Sequence, residues 1–456
     1  MASAAEQLSK NINLGTFSKA KELQQRILFT LGALIVYRLG THIPIPGINP
    51  TQLEAAFGNN SEGILGMMNV FSGGAIENMA IFALNVMPYI SASIIMQLAT
   101  TAIPSLERLK KEGESGRKQI NQYTRYGTVL LAIAQAFGIA TALSAADPST
   151  GATVALNPGW YFTASTIITL VGGTVFLMWL GEQITARGVG NGISLIIFAG
   201  IVAILPTGIW NALVQTREGT LNFVVLLAVA AIAIAMIIFI VFVERSQRRL
   251  LIQYPKRQQG NRMMGGESSF LPLKLNTAGV IPPIFATSLL LLPTTAAQFA
   301  ATGGAEGGGW WGETMRAVAA YLGPGQPLFV LLYGLLVIFF CFFYTSIVFN
   351  PEETADNLRK YGGFIPGYRP GKRTAEYLDY VLSRLTVIGA LYLTIVCLLP
   401  EILKMNYSNI PFYIGGTSIL IVVSVTMDTV AQIQSHLIAH QYEGMIKRSR
   451  LGARKK

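Results

Sequence analysis

Charge is what this sequence has least of. Only 12% of its 456 residues are Asp, Glu, Lys or Arg, about half the share a soluble domain carries, so an ordinary water-facing surface is excluded. Cysteine is nearly missing as well: Cys341 and Cys397 each sit inside an apolar run, which leaves no disulfide framework and no cysteine metal cluster. Of the three histidines, His436 and His440 stand four apart near Glu443. Four is a metal-like spacing, but no further ligand accompanies them, so the pair reads as part of a solvated face. Acidic residues avoid the middle of the apolar runs: Glu182 and Glu244 fall at run ends, and Asp428 near the end of the last one. An ion-coupled transporter needs ionisable groups at the membrane midplane, and an enzyme needs a paired base, nucleophile or metal. Neither is visible, and no cofactor is expected. The first 26 residues are polar and lack an early apolar core with a cleavage site, so no signal peptide is expected and the first span acts as the insertion signal.

Apolar length is what the chain has in abundance. It is 52% hydrophobic with a mean hydropathy of +0.48. Residues 223 to 243 form an uncharged run long enough, as a helix, to cross a bilayer. Glu244, Arg245, Arg248 and Arg249 end that run abruptly, the Arg-rich flank expected on the cytoplasmic side. Apolar runs predict ten membrane helices, at roughly 24–43, 76–103, 123–145, 161–181, 193–213, 221–244, 273–296, 326–349, 380–400 and 410–430. Placing the segment after Val243 in the cytoplasm then puts 30 of the 34 Lys and Arg on that side, leaving only Arg38, Arg217, Arg316 and Lys404. This asymmetry is the positive-inside pattern, and it predicts two cytoplasmic termini. The net charge of +11 gathers on one face, above all in two loops of about 30 residues, which either bind anionic lipid or dock a partner.

Several features interrupt the spans. Between the first two lies SEGILGMMNVFSGGAIEN, residues 61–78, whose apolar core from Ile64 to Phe71 is too short to span and is flanked by Gly63, Gly73 and Gly74. It reads either as an interfacial helix or as a re-entrant segment inside the bundle. Pro88, Pro206 and the pair Pro282 and Pro283 are expected to kink their helices. Ser91, Ser93 and Gln97 neighbour the first of these prolines, and Asn276, Thr287 and Ser288 the last, so their polar groups should face an interior seam. Gly188, Gly190 and Gly192 imitate a nucleotide loop but precede a membrane span, and are read as a tight cytoplasmic turn. Residues 302–311 form a Gly-rich connector.

Two stretches resemble signatures of the SecY family, the central subunits of the bacterial protein-conducting channel. IFALNVMPYISASIIMQL (81–98) resembles the first, with Asn85 where the family usually has glycine. WLGEQITARGVGNGISLIIF (179–198) resembles the second. QYPKRQQGNR (253–262) and NPEETADNLRKYGGFIPGYRPGKRT (350–374) resemble the family's two long cytoplasmic loops, so the likeness covers essentially the whole chain. It implies an all-α polytopic fold of ten transmembrane helices in two pseudo-symmetric five-helix halves, residues 1–214 and 215–456. The implied constriction is an aliphatic ring of Val86, Ile90, Ile193, Ile197, Ile284 and Ile421. The implied plug spans about 62–75, with Ile64, Leu65, Met67, Met68, Val70 and Phe71 as its apolar residues.

A lateral gate toward lipid is implied between the second and third spans and the seventh and eighth, at Ser91, Gln97, Thr287, Ser288 and Leu292. Docking of a motor or ribosome is implied at Lys256, Arg257, Arg262, Arg369, Lys372 and Arg373. Pro366, Gly367, Pro370 and Gly371 favour a tight turn that would hold Arg369 at a loop tip. The implied partners are SecE-like and SecG-like membrane subunits, the SecA ATPase, the ribosome with its RNA, SecDF and YidC-type accessory proteins, unfolded secretory polypeptides and anionic lipids. The implied location is the bacterial inner membrane. A secondary transporter for a small solute stands as the alternative.

Overall fold

The computed structural model describes residues 20–53, 69–144, 153–219, 222–254, 257–259, 262–264, 268–290, 321–322, 326–406 and 415–453. The helices are α1 (Lys21–Gly40), α2 (Met87–Ala102), α3 (Pro104–Lys111), α4 (Glu114–Ser144), α5 (Trp160–Arg187), α6 (Gly192–Arg217), α7 (Phe223–Arg245), α8 (Ile281–Leu290), α9 (Pro327–Val348), α10 (Pro351–Lys360), α11 (Lys372–Asn406) and α12 (Gly416–Ala453). Seven described helices are long and apolar enough to cross a membrane, or eight if the bent pair α2 and α3 counts as one span. The two other predicted spans fall on α1 and on the short α8. The described residues form two compact units, one within Met1–Thr207 and Val425–Lys456, the other within Gly208–Ala297 and Glu313–Ser424.

In the first unit α1 is built inside out. Its buried face is Thr30, Ala33, Tyr37 and Gly40, while Leu28, Leu31, Ile35 and Leu39 are exposed. The small residue Gly40 on this stripe leaves room for the Phe82 ring, and the large apolar ones are left for lipid. The chain then threads between α1 and α5 instead of forming the first half of a span. Residues 73–86 run as turns, with Met79 and Asn85 at φ 41° and 49°. Phe82 is wedged so tightly that a Cβ on Gly40 would sit 2.0 Å from its ring, and a Cβ on Gly173 of α5 would sit 2.0 Å from the Ile81 carbonyl oxygen. Phe82 stacks between Tyr37 and Phe176, with ring centroids 6.3 and 5.8 Å apart.

This corrects the continuous helix predicted over 76–103. Pro88 lies in the first turn of α2 and starts the helix; it does not kink it, because proline's missing N–H is unpaired there anyway. Pro282 and Pro283 likewise lie in the first turn of α8, so two of the three expected kinks are helix starts. Pro206 is inside α6 as expected. At Ile103 the backbone turns extended, at φ −105° and ψ 116°, and α3 leaves α2 at 98°; the residue before a proline disfavours the helical region.

The second unit holds α7, of which only Met236, Ile240 and Val243 are buried. It also holds a β ribbon where the sequence pattern predicts a basic loop. Strand β1 (Gln247–Gln253) pairs antiparallel with β4 (Ser268–Lys274), Gln247 opposite Lys274 and Gln253 opposite Ser268. Farther out, β2 (Arg257–Gln259) pairs with β3 (Arg262–Met264). The signal was an alternation of period two: Leu250, Ile252 and Leu273 are buried, while their neighbours are more exposed.

Candidate functional site

The basic loops of the second unit join into one platform. Beyond its register with β4, Gln253 exchanges two backbone hydrogen bonds with Phe364, of 2.9 and 3.0 Å, so the second loop lays a short extended segment beside the ribbon. Gly363 permits the approach, since a Cβ there would meet Ile252 and Tyr254 at 3.0 Å. Beneath lies a shared core of Leu250 and Leu273 from the ribbon, Ala355 from α10, Ile365 from the loop, and Ala375, Leu378, Val381 and Leu385 from α11. Asn350 caps α10 by accepting from the N–H groups of Glu352 and Glu353, and Arg359 and Lys360 occupy its last turn; both ends suit the helix dipole. Asn276 ties the ribbon's exit to α7, donating to Glu244 Oε1 at 2.7 Å and to the Gly279 carbonyl oxygen at 3.0 Å.

Arg369 is exposed on this platform. Its turn is fixed by Gly367 and Gly371, at φ 89° and 105°, and by the buried Thr374 hydroxyl, which donates to the Arg369 carbonyl oxygen at 2.9 Å. Tyr368 stacks on Tyr377 at 4.1 Å. Lys372 and Arg373 are exposed in the first turn of α11, where the helix dipole opposes cations. Their position is therefore not one that helix stability alone would select. Lys256 lies outside the described residues, and Arg257 and Arg262 lie on β2 and β3.

The predicted ring residues divide between the units. In the first unit Val86 and Ile90 are buried at the start of α2, with the Ile90 N–H donating to the Val86 carbonyl oxygen at 3.0 Å, and on α6 Ile197 is buried and Ile193 half-buried. In the second, Ile421 of α12 is buried and Ile284 of α8 half-buried. Among the predicted gate residues, Ser91, Thr287 and Ser288 are buried, Gln97 is half-buried and donates to Ser93 Oγ at 3.3 Å, and Leu292 lies outside the described residues. Ser288 Oγ and Gln97 Oε1 are buried without a partner. Of the predicted plug, Ile64, Leu65, Met67 and Met68 lie outside the described residues, whereas Phe71 is buried and Val70 half-buried in a single helical turn, residues 69–72.

The glycine turn between α5 and α6 is tight. Its Val189 N–H donates to Thr30 Oγ1 of α1 at 3.1 Å, and its Gly190 N–H donates to Gln432 Oε1 of α12 at 2.8 Å. A Cβ on Gly192 would sit 1.9 Å from the Gly181 carbonyl oxygen, so α5 and α6 meet backbone to backbone just before Ile193. Sequence reasoning missed these partners: Thr30 and Gln432 lie 159 and 242 residues away from the donors they receive.

Comparison with known proteins accords with this geometry. The SecY family model matches residues 80–430. Protein translocase subunit SecY of Escherichia coli (strain K12) is 54% identical over 430 residues, covering 94% of this chain and 95% of that protein. Among solved structures, a SecY protein in which the plug domain stabilises the closed state of the translocation channel aligns with a TM-score of 0.65 at 19% identity, over 91% of this chain and 92% of the other. Sec61 in the canine ribosome-channel complex from the endoplasmic reticulum aligns with a TM-score of 0.60 at 18% identity, again over 91% and 92%. The spans, the two signature stretches and this match in sequence lead to one conclusion: the chain belongs to the SecY family.

Proposed function

We propose that this chain is the channel subunit of a bacterial protein translocase, passing unfolded polypeptides across the inner membrane and releasing signal sequences and membrane segments sideways into lipid. Family membership over nearly the whole chain carries the reading. In it, Val86, Ile90, Ile193, Ile197, Ile284 and Ile421 form the constriction. Branched aliphatic side chains offer no hydrogen bonds, so such a ring dewets when closed, yet yields to many passing side chains without holding any. Ser91, Gln97, Thr287, Ser288 and Leu292 line the lateral gate. Exit there is a partition: a central Leu, Ile or Phe favours lipid by about 0.3 to 0.6 kcal/mol, and a central Lys, Arg or Asp opposes it by about 2.5 to 3.5 kcal/mol. A few charges therefore decide between secretion and insertion.

The chain performs no catalysis of its own in this reading, so force comes from outside, from a SecA-type ATPase or a translating ribosome seated on Lys256, Arg257, Arg262, Arg369, Lys372 and Arg373. The apolar core shared by the two loops supports that role, because a rigid base transmits a push that a flexible loop would absorb. SecE-like and SecG-like subunits complete the channel, SecDF and YidC-type proteins assist it, and anionic lipid meets its basic face. Copurification tests the class: small single-span or hairpin subunits and a cytoplasmic ATPase should accompany the chain out of membranes. Saturable, ion-coupled solute uptake by the chain alone would instead support the transporter alternative.

The charge asymmetry gives a topology to check. Cysteines placed in 255–268 and in 352–374 should resist a membrane-impermeant reagent in intact cells, while one placed in 304–308 should react. Reaction of either basic loop from outside would overturn the orientation.

A further inference from the structure

Three carbonyl groups in succession, at the end of the helical turn 69–72, each receive a side-chain donor. Asn85 Nδ2 donates to the Phe71 carbonyl oxygen, the Tyr37 hydroxyl to that of Ser72 at 3.1 Å, and Arg38 Nη1 to that of Gly73. The last carbonyls of any helix lack partners within it, but a separate long-range side chain for each of three is more than a turn this short requires. The donors come from two places, the last turn of α1 and the approach to α2, so the segment is gripped from both flanks. Its other side lies against α6. A Cβ on Gly73 would meet the Gly200 Cα at 2.8 Å, and a Cβ on Gly200 would meet the Phe71 carbonyl oxygen at 3.0 Å. Gly200 stands three residues beyond Ile197 on that helix.

The geometry points to a clasp: Tyr37, Arg38 and Asn85 are positioning residues that hold the C-terminal root of the 62–75 segment, and their grip sets how readily the channel opens. This rests on the channel reading above, in which that segment is the plug. The clasp explains why Arg38 is charged although it lies in an apolar helix away from the basic loops: its guanidinium satisfies a backbone oxygen and also reaches Thr41 Oγ1 at 3.4 Å. Asn85 is the adjustable member. It sits at φ 49° and is only 1% exposed, and among non-glycine residues Asn and Asp tolerate that conformation best. Its Oδ1 has no partner, so the amide is held through its nitrogen alone, which donates to the Phe71 carbonyl oxygen and also lies within hydrogen-bonding reach of the Tyr37 hydroxyl.

This makes a clean substitution available. Asn85→Gly keeps the backbone conformation and removes the amide, with its donation to Phe71 and its contact with Tyr37. Asn85→Asp keeps the shape but turns an oxygen toward the Phe71 carbonyl. Tyr37→Phe deletes one hydroxyl, and Arg38→Lys retains a donor. The measurements are resting ion conductance of the purified channel complex in planar bilayers, and the ratio of translocation with a defective signal sequence to that with an intact one. Asn85→Gly and Tyr37→Phe should each raise both several-fold, Asn85→Asp should raise them further, and Arg38→Lys should stay near the parent. A merely structural role would lower translocation of both substrates together and leave their ratio fixed. Deletion of 64–71 serves as the control. If the deletion raises conductance while Asn85→Gly and Tyr37→Phe do not, the clasp is overturned and the plug reading stands. If the deletion also has no effect, the plug reading itself has failed.

Discussion

Arg369→Glu abolishes ATPase-driven translocation while leaving abundance, membrane insertion and topology intact; Arg369→Lys is partly impaired and Lys372→Glu is milder. The expectation follows from how this arginine is held. Its turn is set by two left-handed glycines, by the Thr374 hydroxyl on its own carbonyl, and by the stack of Tyr368 on Tyr377. The exposed side chain therefore projects from a fixed base. A guanidinium presents a planar fork that can engage a carboxylate or two carbonyl oxygens at once, which an ammonium cannot reproduce. Reversal of charge at such a contact opposes a like charge in place of a partner, and truncating one member of a buried charge pair already costs about 2 to 5 kcal/mol. At 1.4 kcal/mol per factor of ten, that is roughly 30-fold to several-thousand-fold in affinity. The check is translocation into inverted membrane vesicles, with membrane levels measured in parallel. Equal rates for Arg369→Glu and Lys372→Glu would mean that the loop acts only through its summed charge.

Asparagine at Ile90, Ile197 or Ile421, or deletion of residues 64–71, makes the resting channel leak ions and relaxes its demand for a proper signal sequence. All three side chains are buried. An amide placed in a dry site without partners costs about 1 to 3 kcal/mol, a penalty that water entering the constriction relieves. If the whole penalty favours the wet state, its population rises roughly 5-fold to 150-fold. Conductance of the reconstituted complex in planar bilayers reads this directly. Unchanged conductance in all four variants would make these residues ordinary core.

The spans were legible in the sequence wherever an apolar run and its charged stop coincide, as at Phe223–Arg245, because membrane insertion is decided by composition over about 20 residues. Pro88 was misread because a proline within an apolar run has two outcomes, a kink or a start. The choice depends on what packs upstream, and here that is Phe82 between Gly40 and Gly173, contacts that no local pattern encodes. The ribbon was legible in principle, since Leu250, Ile252 and Leu273 alternate, but the Arg-rich flanks read first as loop charge. Arg369's turn could be read from Pro366, Gly367, Pro370 and Gly371. Its base could not, because Gln253 and Phe364 meet across more than a hundred residues. Arg38 stood out only as an exception to the charge asymmetry, and its partner, the Gly73 carbonyl, is a backbone atom with no signature of its own.

The hydrogen bond from the Gly190 N–H to Gln432 bears on the order in which the chain is made. The turn carrying Gly190 leaves the ribosome long before α12 exists, yet the Gly190 N–H waits for a side chain 242 residues downstream. Ile433 and Leu437 must likewise arrive before the cluster of Ala20, Leu23 and Val189 is covered. The first unit therefore cannot be finished from its own N-terminal sequence; it stays open at this corner until nearly the last helix has been synthesised. A nascent chain halted before residue 425 would present an unpaired Gly190 N–H and a patch of Ala20, Leu23 and Val189 without its Ile433 and Leu437 cover.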